Sequence, residues 1–402
     1  MSRIVGSKFR DYLYGSAGDD RIISKGGRDH IYGQGGVDII FAGDDDDWIT
    51  ITPLDGQLGS YIFGGAGFDR ATLSFAGLTT PITIASNYIH AFTDLGGGVR
   101  GIVATLDSVE SLTVSFGSAN DEFHANDAGS TANGGAGDDR LFGGSGYDKL
   151  YGDEGSDLLD GGAGNDYISA GTGADSIRGG LGKDTIYGED GDDLIYGQEG
   201  IDQINAGRGN DRVLGGDGDD NIQGLDGDDV LFGEGGRDDL YGYWGNDVLL
   251  GGLSSDYLFG HWGMDALHGG EANDWLDGGD DNDRLYGGLG SDELTGGAGH
   301  DRFVWQSLDE GGDHVVDFAH NQDLIVLTAE MVGGIAAVTA SNFVSNANGV
   351  AKDADDHFLY SQSTHGLFFD PDGNGVMAKT LIAHIDFASG TSHIQASDIV
   401  IA

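Results

Sequence analysis

The chain has 402 residues, and 19 Lys and Arg against 68 Asp and Glu give it a formal net charge of −49. Glycine accounts for 76 of the 402 residues, a fraction far above the usual ~7%. With only 3 prolines and no G-X-Y period, the chain is not a collagen. A chain this negative repels phosphates, which argues against nucleic acid and anionic membrane surfaces as partners. We expect cations to be its counterpart.

Export and anchoring signals of the ordinary kind are missing from the sequence. The first 14 residues lack the apolar stretch of roughly 7 to 15 residues that a secretory signal needs. No run of ~18 apolar residues predicts a transmembrane segment. With no cysteine, the chain has neither a disulfide framework nor thiolate metal sites. We therefore expect no cleavable export signal and no membrane-spanning helix.

A nine-residue repeat begins near the N-terminus. Its form is G-G-x-G-x-D-x-U-x, in which U is apolar, and five units cover 6–50. The phase then slips, and a single unit covers 64–72. The sixth positions of these units are Asp11, Asp20, Asp29, Asp38, Asp47 and Asp69.

The next segment, 73–115, interrupts the repeat. Its apolar stretches, such as PITIA and GIVATL, are broken by three consecutive glycines at 96–98. This pattern predicts β-strands without the glycine turns of the repeat. Two degraded units follow in 116–133, with Asp121 as the surviving acid.

The main array, 134–304, consists of 19 consecutive units without an insertion. Its eighth position is always apolar, and its sixth is always Asp. Ser254, Ala272 and Asp281 replace the fourth glycine, as Asp45 does in the first block. The sixth-position residues are Asp139, Asp148, Asp157, Asp166, Asp175, Asp184, Asp193, Asp202, Asp211, Asp220, Asp229, Asp238, Asp247, Asp256, Asp265, Asp274, Asp283, Asp292 and Asp301.

The order of residues within a unit predicts its local structure. Glycines at the first, second and fourth positions allow left-handed backbone angles, so six residues can form a tight turn with carbonyls directed at a common point. The remaining x-U-x forms a three-residue strand whose U side chain faces inward. Two units then make one flattened coil, and stacked coils make a parallel solenoid with a thin U-lined core.

The sixth-position aspartates predict a metal. Stacking places Asp of unit n beside Asp of unit n+2, and the two carboxylates repel unless a cation lies between them. Carboxylate and carbonyl oxygens in an adaptable loop favour Ca²⁺ over Mg²⁺. The two blocks contain about twenty such pairs, and that many Ca²⁺ ions would nearly neutralise the chain. Calcium ions are therefore the predicted cofactor and partner.

The nonapeptide resembles that of the repeats-in-toxin (RTX, hemolysin-type) family of secreted calcium-binding proteins. The resemblance implies an all-β fold, a right-handed parallel β-roll. It also implies that each Ca²⁺ is held by the sixth-position Asp residues of units n and n+2 and by carbonyls of the glycine turns. The replaced fourth glycines leave the turn geometry and the occupancy of their sites open.

The last hundred residues contain less glycine and more apolar runs, including 324–327 and 367–369. They predict a β-rich C-terminal cap over the end of the roll. The motifs D-x-V-x-D-F (313–318), D-L-I-V-L (323–327) and L-F-F-D-P-D-G-N-G (367–375) are similar to the C-terminal region of family members exported by type I secretion. The resemblance implies an uncleaved export signal, a type I exporter as a partner and an extracellular location.

The sequence thus divides into four predicted segments. These are an N-terminal calcium-binding repeat block (1–72), a non-binding β-segment (73–115), the main β-roll array (116–304) and the C-terminal cap with the secretion-signal region (305–402).

One segment of the cap imitates the opening of an EF-hand loop. Asp370, Asp372, Asn374 and Gly375 match D-x-D-x-N-G, but Leu381 occupies the twelfth position, where a Glu is needed. A hairpin turn is the favoured interpretation, and a local Ca²⁺ site is the alternative.

Aromatic residues depart from the repeat in one region. Tyr243 and Trp244 occupy the second and third positions of their unit, and His261 and Trp262 occupy the same positions two units later. They are predicted to stack on one edge of the roll, with Trp275 nearby. They could grip sugar rings or a partner surface, but a hydrophobic brace over weak sites is favoured.

The sequence contains no H-E-x-x-H, G-x-S-x-G or P-loop motif. The regular spacing of its carboxylates argues against a unique glycosidase pair. We expect a non-enzymatic, secreted calcium-binding protein that folds on Ca²⁺ binding outside the cell, in the extracellular matrix or on a surface, with glycans or a cell surface as further partners. A polysaccharide-acting enzyme using the roll as scaffold and a membrane-active toxin are the alternatives. The lack of a long apolar segment speaks against the toxin.

Overall fold

The computed structural model describes residues 1–52, 60–75, 82–85, 89–94, 100–107, 111–125, 129–373, 378–388 and 393–402, with only the backbone between 76 and 110. In these residues the chain forms 40 β-strands and two short 3-10 helices, Leu308–Glu310 and Ala396–Asp398. It also divides into two compact units, Met1–Gln203 and Ile204–Ala402. The division of the sequence into four segments stays a prediction.

The first twenty strands are β1 (Ser2–Val5), β2 (Tyr12–Tyr14), β3 (Asp20–Gly26), β4 (His30–Gln34), β5 (Ile39–Asp44), β6 (Trp48–Ile51), β7 (Ser60–Ala66), β8 (Arg70–Ser74), β9 (Ile82–Ala85), β10 (Ile89–Asp94), β11 (Arg100–Asp107), β12 (Ser111–Ser115), β13 (Glu122–His124), β14 (Thr131–Ala136), β15 (Arg140–Phe142), β16 (Lys149–Glu154), β17 (Leu158–Ala163), β18 (Tyr167–Thr172), β19 (Ser176–Leu181) and β20 (Thr185–Asp190).

The remaining strands are β21 (Leu194–Glu199), β22 (Gln203–Arg208), β23 (Arg212–Asp217), β24 (Asn221–Asp226), β25 (Val230–Gly235), β26 (Asp239–Trp244), β27 (Val248–Gly252), β28 (Tyr257–Trp262), β29 (Ala266–Glu271), β30 (Trp275–Asp280), β31 (Arg284–Leu289), β32 (Glu293–Ala298), β33 (Arg302–Trp305), β34 (Asp313–Phe318), β35 (Leu324–Leu327), β36 (Phe343–Asn346), β37 (Phe358–Ser361), β38 (Gly366–Phe369), β39 (Thr380–Phe387) and β40 (Ile399–Ile401).

The first unit is a parallel β-solenoid. Each repeat strand pairs with the strand two further along the chain, so that β14, β16 and β18 share one face and β15, β17 and β19 share the other. The register advances by 18 residues, as in the pairing of Leu150 with Ile168. Two nine-residue units therefore form one coil, and the predicted fold class is confirmed.

The segment that interrupts the repeat adds strands to one face only. There β7 pairs with β11, and β9 pairs with β13, both in parallel. Between them, β10 pairs antiparallel with β9 and β11. On the other face β8 pairs directly with β12. The β-strands predicted for this segment are present, but in a partly antiparallel arrangement.

The strands of the array are longer than the sequence indicates. The repeat predicts three-residue strands, whereas β18 and its neighbours have six residues, the seventh to ninth positions of one unit and the first three of the next. Pairing skips only the first position of the unit, passing from Ser169–Tyr187 to Gly171–Glu189. Stacked turns are themselves in register, so parallel hydrogen bonding continues into them.

The interior of each compact unit contains two kinds of side chain. The eighth-position residues, such as Leu231 and Leu249, are buried. The sixth-position aspartates are also buried, and Asp229 and Asp247 each retain only 1% of their accessible surface. An apolar row and an acidic row therefore run side by side through the stack.

The second unit also consists of parallel strand pairs and ends in a β-rich cap. Strands β33, β35 and β40 pair in parallel, as do β34 and β39. Antiparallel pairs join β37 to β38 and β38 to β39. Trp305, Phe318, Phe358 and Tyr360 are buried there, and the predicted β-rich end is confirmed. No described helix has the length and apolar character needed to cross a membrane.

Candidate metal centre

The sixth-position aspartates form a hydrogen-bonded ladder. The backbone N–H of Asp139 donates to Oδ1 of Asp157, and the N–H of Asp157 donates to Oδ1 of Asp175, across 2.7 and 2.6 Å. The same bond recurs at steps of eighteen residues in both units, for example from Asp229 to Asp247 and from Asp265 to Asp283. Because of this bond, each Asp fixes the register of the coil before it.

The second carboxylate oxygen of these residues points into the turn. For most of the array, Oδ2 is buried and accepts no hydrogen bond. The residues with this arrangement include Asp47, Asp139, Asp148, Asp157, Asp166, Asp175, Asp184, Asp229, Asp238, Asp247, Asp256, Asp265, Asp274, Asp283 and Asp301. Buried polar atoms are nearly always paired in proteins, so a regular row of unpaired oxygens marks a place for a cation.

Backbone carbonyls lie beside these oxygens. A Cβ built on Gly242, the first residue of its unit, would collide with Oδ2 of Asp247 and lie 3.0 Å from the carbonyl oxygen of Gly260. At Gly143 it would lie 2.9 Å from Oδ2 of Asp148 and collide with the carbonyl of Gly161. The first glycine thus leaves room for two oxygens of different coils to approach one point.

Carboxylates alone do not complete a site. Within the described ranges, no three His, Asp or Glu side chains converge as metal ligands. The donor set is therefore one or two carboxylates plus carbonyl oxygens, the hard-oxygen chemistry that suits Ca²⁺ in a loop. These residues fit a calcium ion.

Burial makes the charged form of these aspartates unfavourable. It raises the pKa of Asp247 and Asp283 to about 8 and that of Asp184 and Asp256 to about 7, and nearby carboxylates add to the effect. The hydrogen bond from the preceding coil lowers the pKa of each, but less than burial raises it.

Three of the four turns named above, in which another residue replaces the fourth glycine, keep the left-handed backbone. Asp45, Ala272 and Asp281 have φ angles of 74°, 78° and 80°. Ser254 has no such angle. Since Asp47, Asp256, Asp274 and Asp283 in these units all have an unpaired Oδ2, replacement of the glycine does not disrupt the acidic row.

The first three aspartates differ from those of the main array. Ser16 donates its hydroxyl to Oδ2 of Asp20, and Ser7 does so to Asp11. The hydroxyl of Ser24 donates to Oδ2 of Asp29. The protein thus supplies donors where the main array has none, which makes these three the weaker candidate ligands.

The ladder also extends past the last repeat. Asp292 donates its N–H to Oδ1 of Asp313, and Asp301 donates to Oδ1 of Asp323, both across 3.1 Å. The indole N–H of Trp305 then satisfies Oδ2 of Asp313 at 2.6 Å. The backbone N–H of Ala319 does the same for Asp323 at 2.6 Å. The acidic row ends where protein donors replace the cation.

Sequence reasoning missed several members of this arrangement. Ser60 occupies a sixth position and accepts a hydrogen bond from the N–H of Asp38, but a four-residue insertion hides its unit. Ser130 occupies another and donates its N–H to Oδ1 of Asp148. The sequence signal for Ser130 was its place as the sixth residue of the degraded unit 125–133.

The fifth position forms a second, exposed ladder that runs in the opposite direction. The N–H of Asp228 donates to the side-chain oxygen of Asn210, and the N–H of Asn246 donates to Asp228, across 2.8 and 2.7 Å. Met264 donates to Asn246 in the same way. The frequent Asp, Asn and Ser at this position were the sequence signal.

Comparison with known proteins agrees with this geometry. The family model of the RTX calcium-binding nonapeptide repeat matches residues 3–31, 14–49, 117–150, 133–168, 169–204, 205–240, 214–249, 241–276 and 268–303. These matches together cover more than half of the chain. The chain belongs to the RTX calcium-binding family. No curated protein sequence matches it. As an RTX protein, it binds calcium ions at multiple sites in a parallel β-roll.

Four aromatic residues of the RTX array stack in pairs, as predicted. Trp244 and Trp262 have ring centroids 5.0 Å apart, and Tyr243 and His261 have theirs 4.8 Å apart. The ring of Trp275 contacts that of Tyr257, with centroids 6.1 Å apart. The second and third positions project on the edge of the sheet, whereas Trp275 is at a seventh position.

The EF-hand-like segment lies partly outside the described residues. Asn374 and Gly375 are among those not described. Asp370 is buried and begins a turn, in which the N–H of Gly373 donates to its carbonyl. The hairpin turn and the local Ca²⁺ site both stay predictions.

Proposed function

We propose that this protein is secreted and that its chain folds into the β-roll when calcium binds outside the cell. The observation that carries the proposal is the row of buried sixth-position carboxylates whose Oδ2 atoms accept no hydrogen bond. The proposed ligands are the sixth-position aspartates predicted from the repeat, together with turn carbonyls such as that of Gly260. Asp11, Asp20 and Asp29 contribute least, because serines already serve them.

The energetic cost of this row explains why folding depends on calcium. An unpaired buried carboxylate costs several kcal/mol, and a whole domain is stable by only about 5–15 kcal/mol. A few such groups therefore cancel the stability of the fold at neutral pH. Three arginines do not relieve this cost, because each forms an ion pair with an aspartate at another position of the repeat. These pairs are Arg28–Asp46, Arg178–Asp160 and Arg208–Asp226.

Calcium supplies the missing free energy. An ion that binds the folded chain and not the unfolded one stabilises it by mass action, and binding at many coils makes folding cooperative with calcium concentration. Extracellular calcium modules have dissociation constants of about 10⁻⁴–10⁻³ M. At such affinities the chain stays unfolded at cytosolic calcium, which suits passage through a narrow exporter.

The resemblance of the C-terminal motifs to those of type I exported proteins supports the route out of the cell. A role in the extracellular matrix or on a cell surface, where calcium is abundant and glycans are the surrounding chemistry, is the proposed use of the folded protein. The aromatic edge of the second unit supports that use.

The test of folding is a calcium titration of the purified chain. We expect little sheet signal by circular dichroism in chelator, a steep rise with calcium, and more than ten bound ions per molecule by metal analysis. Native sheet content in chelator, or only a few bound ions, would exclude the proposal. Export is tested in the source cell, where deletion of the type I exporter should move the protein from the medium into the cells.

A further inference from the structure

A cavity lies on the sheet face of the second unit where the aromatic stack stops. Its volume is about 440 Å³, within the ~300–1,000 Å³ of small-ligand sites. Its lining includes Phe259, His261, Trp262, Asp277 and Asp280.

The register of two strands explains the cavity. His261 and Trp262 of β28 pair with Gly279 and Asp280 of β30. Large aromatic side chains on one strand are therefore followed by small side chains on the next. Gly297 and Ala298 of β32 continue these small side chains. The result is a step with an aromatic wall and a floor of small residues.

The aromatic wall is rigid and available. Trp262 stacks on Trp244 with an interplanar angle of 9°, which fixes the orientation of its ring and covers one side of it. Trp262 nevertheless remains 44% exposed. A single open face of this kind suits a flat apolar surface, whereas a quaternary ammonium is usually enclosed by several rings.

Acidic side chains line the other side. Asp277 pairs in register with Phe259 and is half-buried. Beyond it, Asp317 accepts hydrogen bonds from the N–H groups of Gly296 and Gly297 at 2.9 and 2.8 Å. Burial and the charge of Asp317 raise the pKa of Asp277. Carboxylates here accept hydrogen bonds from hydroxyl groups and repel anions.

We propose that this cavity binds a neutral saccharide, with one sugar ring packed on the free face of Trp262 and its hydroxyls donating to Asp277 and Asp280. An apolar ring face bordered by hydroxyl donors matches an aromatic wall bordered by carboxylate acceptors. Uronic acids and phosphorylated sugars are excluded by charge. The inference names the ligand class for the surface role proposed above and rests on that role.

The test is calorimetric titration of the calcium-loaded protein with cellohexaose, laminarihexaose, maltohexaose, chitohexaose and hexaguluronate. We expect at least one neutral hexasaccharide to bind and hexaguluronate not to bind. W262A should weaken binding at least tenfold and D277N several-fold. W275A is the matched control, because Trp275 is 42% exposed and lies in the second compact unit but outside this cavity. The dissociation constant of W275A for the saccharide should stay within twofold of the wild-type value.

Circular dichroism of each variant in calcium separates binding from folding. If W262A does not fold, the stacked aromatics act as a brace and D277N alone decides. The inference is overturned if no neutral hexasaccharide binds, if tetramethylammonium binds in their place, or if D277N and a folded W262A bind as wild type does. Failure of the proposed function would be seen differently: the sheet content of the wild-type chain would not change when calcium is added.

Discussion

The backbone N–H of Asp229 donates to Oδ1 of Asp247, which lies 2.8 Å away and eighteen residues further along the chain. Oδ2 of the same Asp247 is buried beside Gly242 and accepts no hydrogen bond. The two oxygens therefore have separate tasks: one holds the preceding coil in register, and the other is left for a cation. A repeat that needs both tasks at every coil keeps Asp at every sixth position.

Asp247→Asn separates these two tasks. The amide oxygen can still accept from Asp229, but the neutral NH₂ group cannot bind a cation. We expect one or two fewer calcium ions per molecule and at least a twofold higher calcium midpoint for folding, measured by metal analysis and circular dichroism. Asp217→Asn removes the same charge at an exposed third position and should change neither quantity. Equal effects of the two variants would assign the loss to net charge.

Gly242→Ala fills the space that the oxygens of neighbouring coils share. Its Cβ would collide with Oδ2 of Asp247, and overpacking of this kind costs about 1–3 kcal/mol. We expect lower stability in calcium and loss of an ion. Gly235→Ala is the control, because its Cβ would approach no atom closer than 3.3 Å and its φ is not left-handed. A similar loss in both variants would mean that the first glycine has no special role.

The period of nine predicted the acidic ladder and the apolar row because a strict repeat forces every coil into the same environment. Asp139 and Leu141 could be placed without knowledge of distant contacts. Strand length could not, since pairing through Gly171 depends on how turns stack. Ser60 was hidden by an insertion that shifts the phase without breaking the stack.

The ends of the acidic row were equally inaccessible to the sequence. The hydrogen bond from Trp305 to Asp313 joins residues of two different strands, and no local sequence pattern predicts it. The serine donors to Asp20 and Asp29 look like ordinary turn residues in the sequence. Such one-time contacts depend on the fold, whereas the repeat could be recognised before it.

The dependence of folding on calcium should itself change with pH. Burial raises the pKa of Asp139 and Asp247 to about 8, above the value of 3.8 for a free side chain. The folded state therefore binds more protons than the unfolded one, so its stability is fully present below about pH 4 and is lost as pH rises to about 8. In calcium, acid instead displaces the ion by protonating its ligands.

Circular dichroism between about pH 4 and 9 checks this pair of trends, with one series in chelator and one in excess calcium. We expect sheet signal in chelator to be low at neutral pH and to increase toward acid, until it converges with the signal in calcium at the acid end, where protons have displaced the ion. A calcium-free signal that rises with pH would contradict the assignment of the buried carboxylates as the groups that oppose folding.

Glu234 is a second-position residue held in the left-handed region, with φ of 72°, and its side chain is exposed. This backbone costs a residue with a Cβ about 1–2 kcal/mol, so Glu234→Gly should raise the free energy of unfolding of the calcium-loaded protein by about 1 kcal/mol. Glu271→Gly, at an exposed third position without a left-handed φ, should lower it by about 0.5–1 kcal/mol. Denaturant unfolding at fixed calcium measures both, and a loss of stability in both variants would show that the turn at Glu234 is not left-handed.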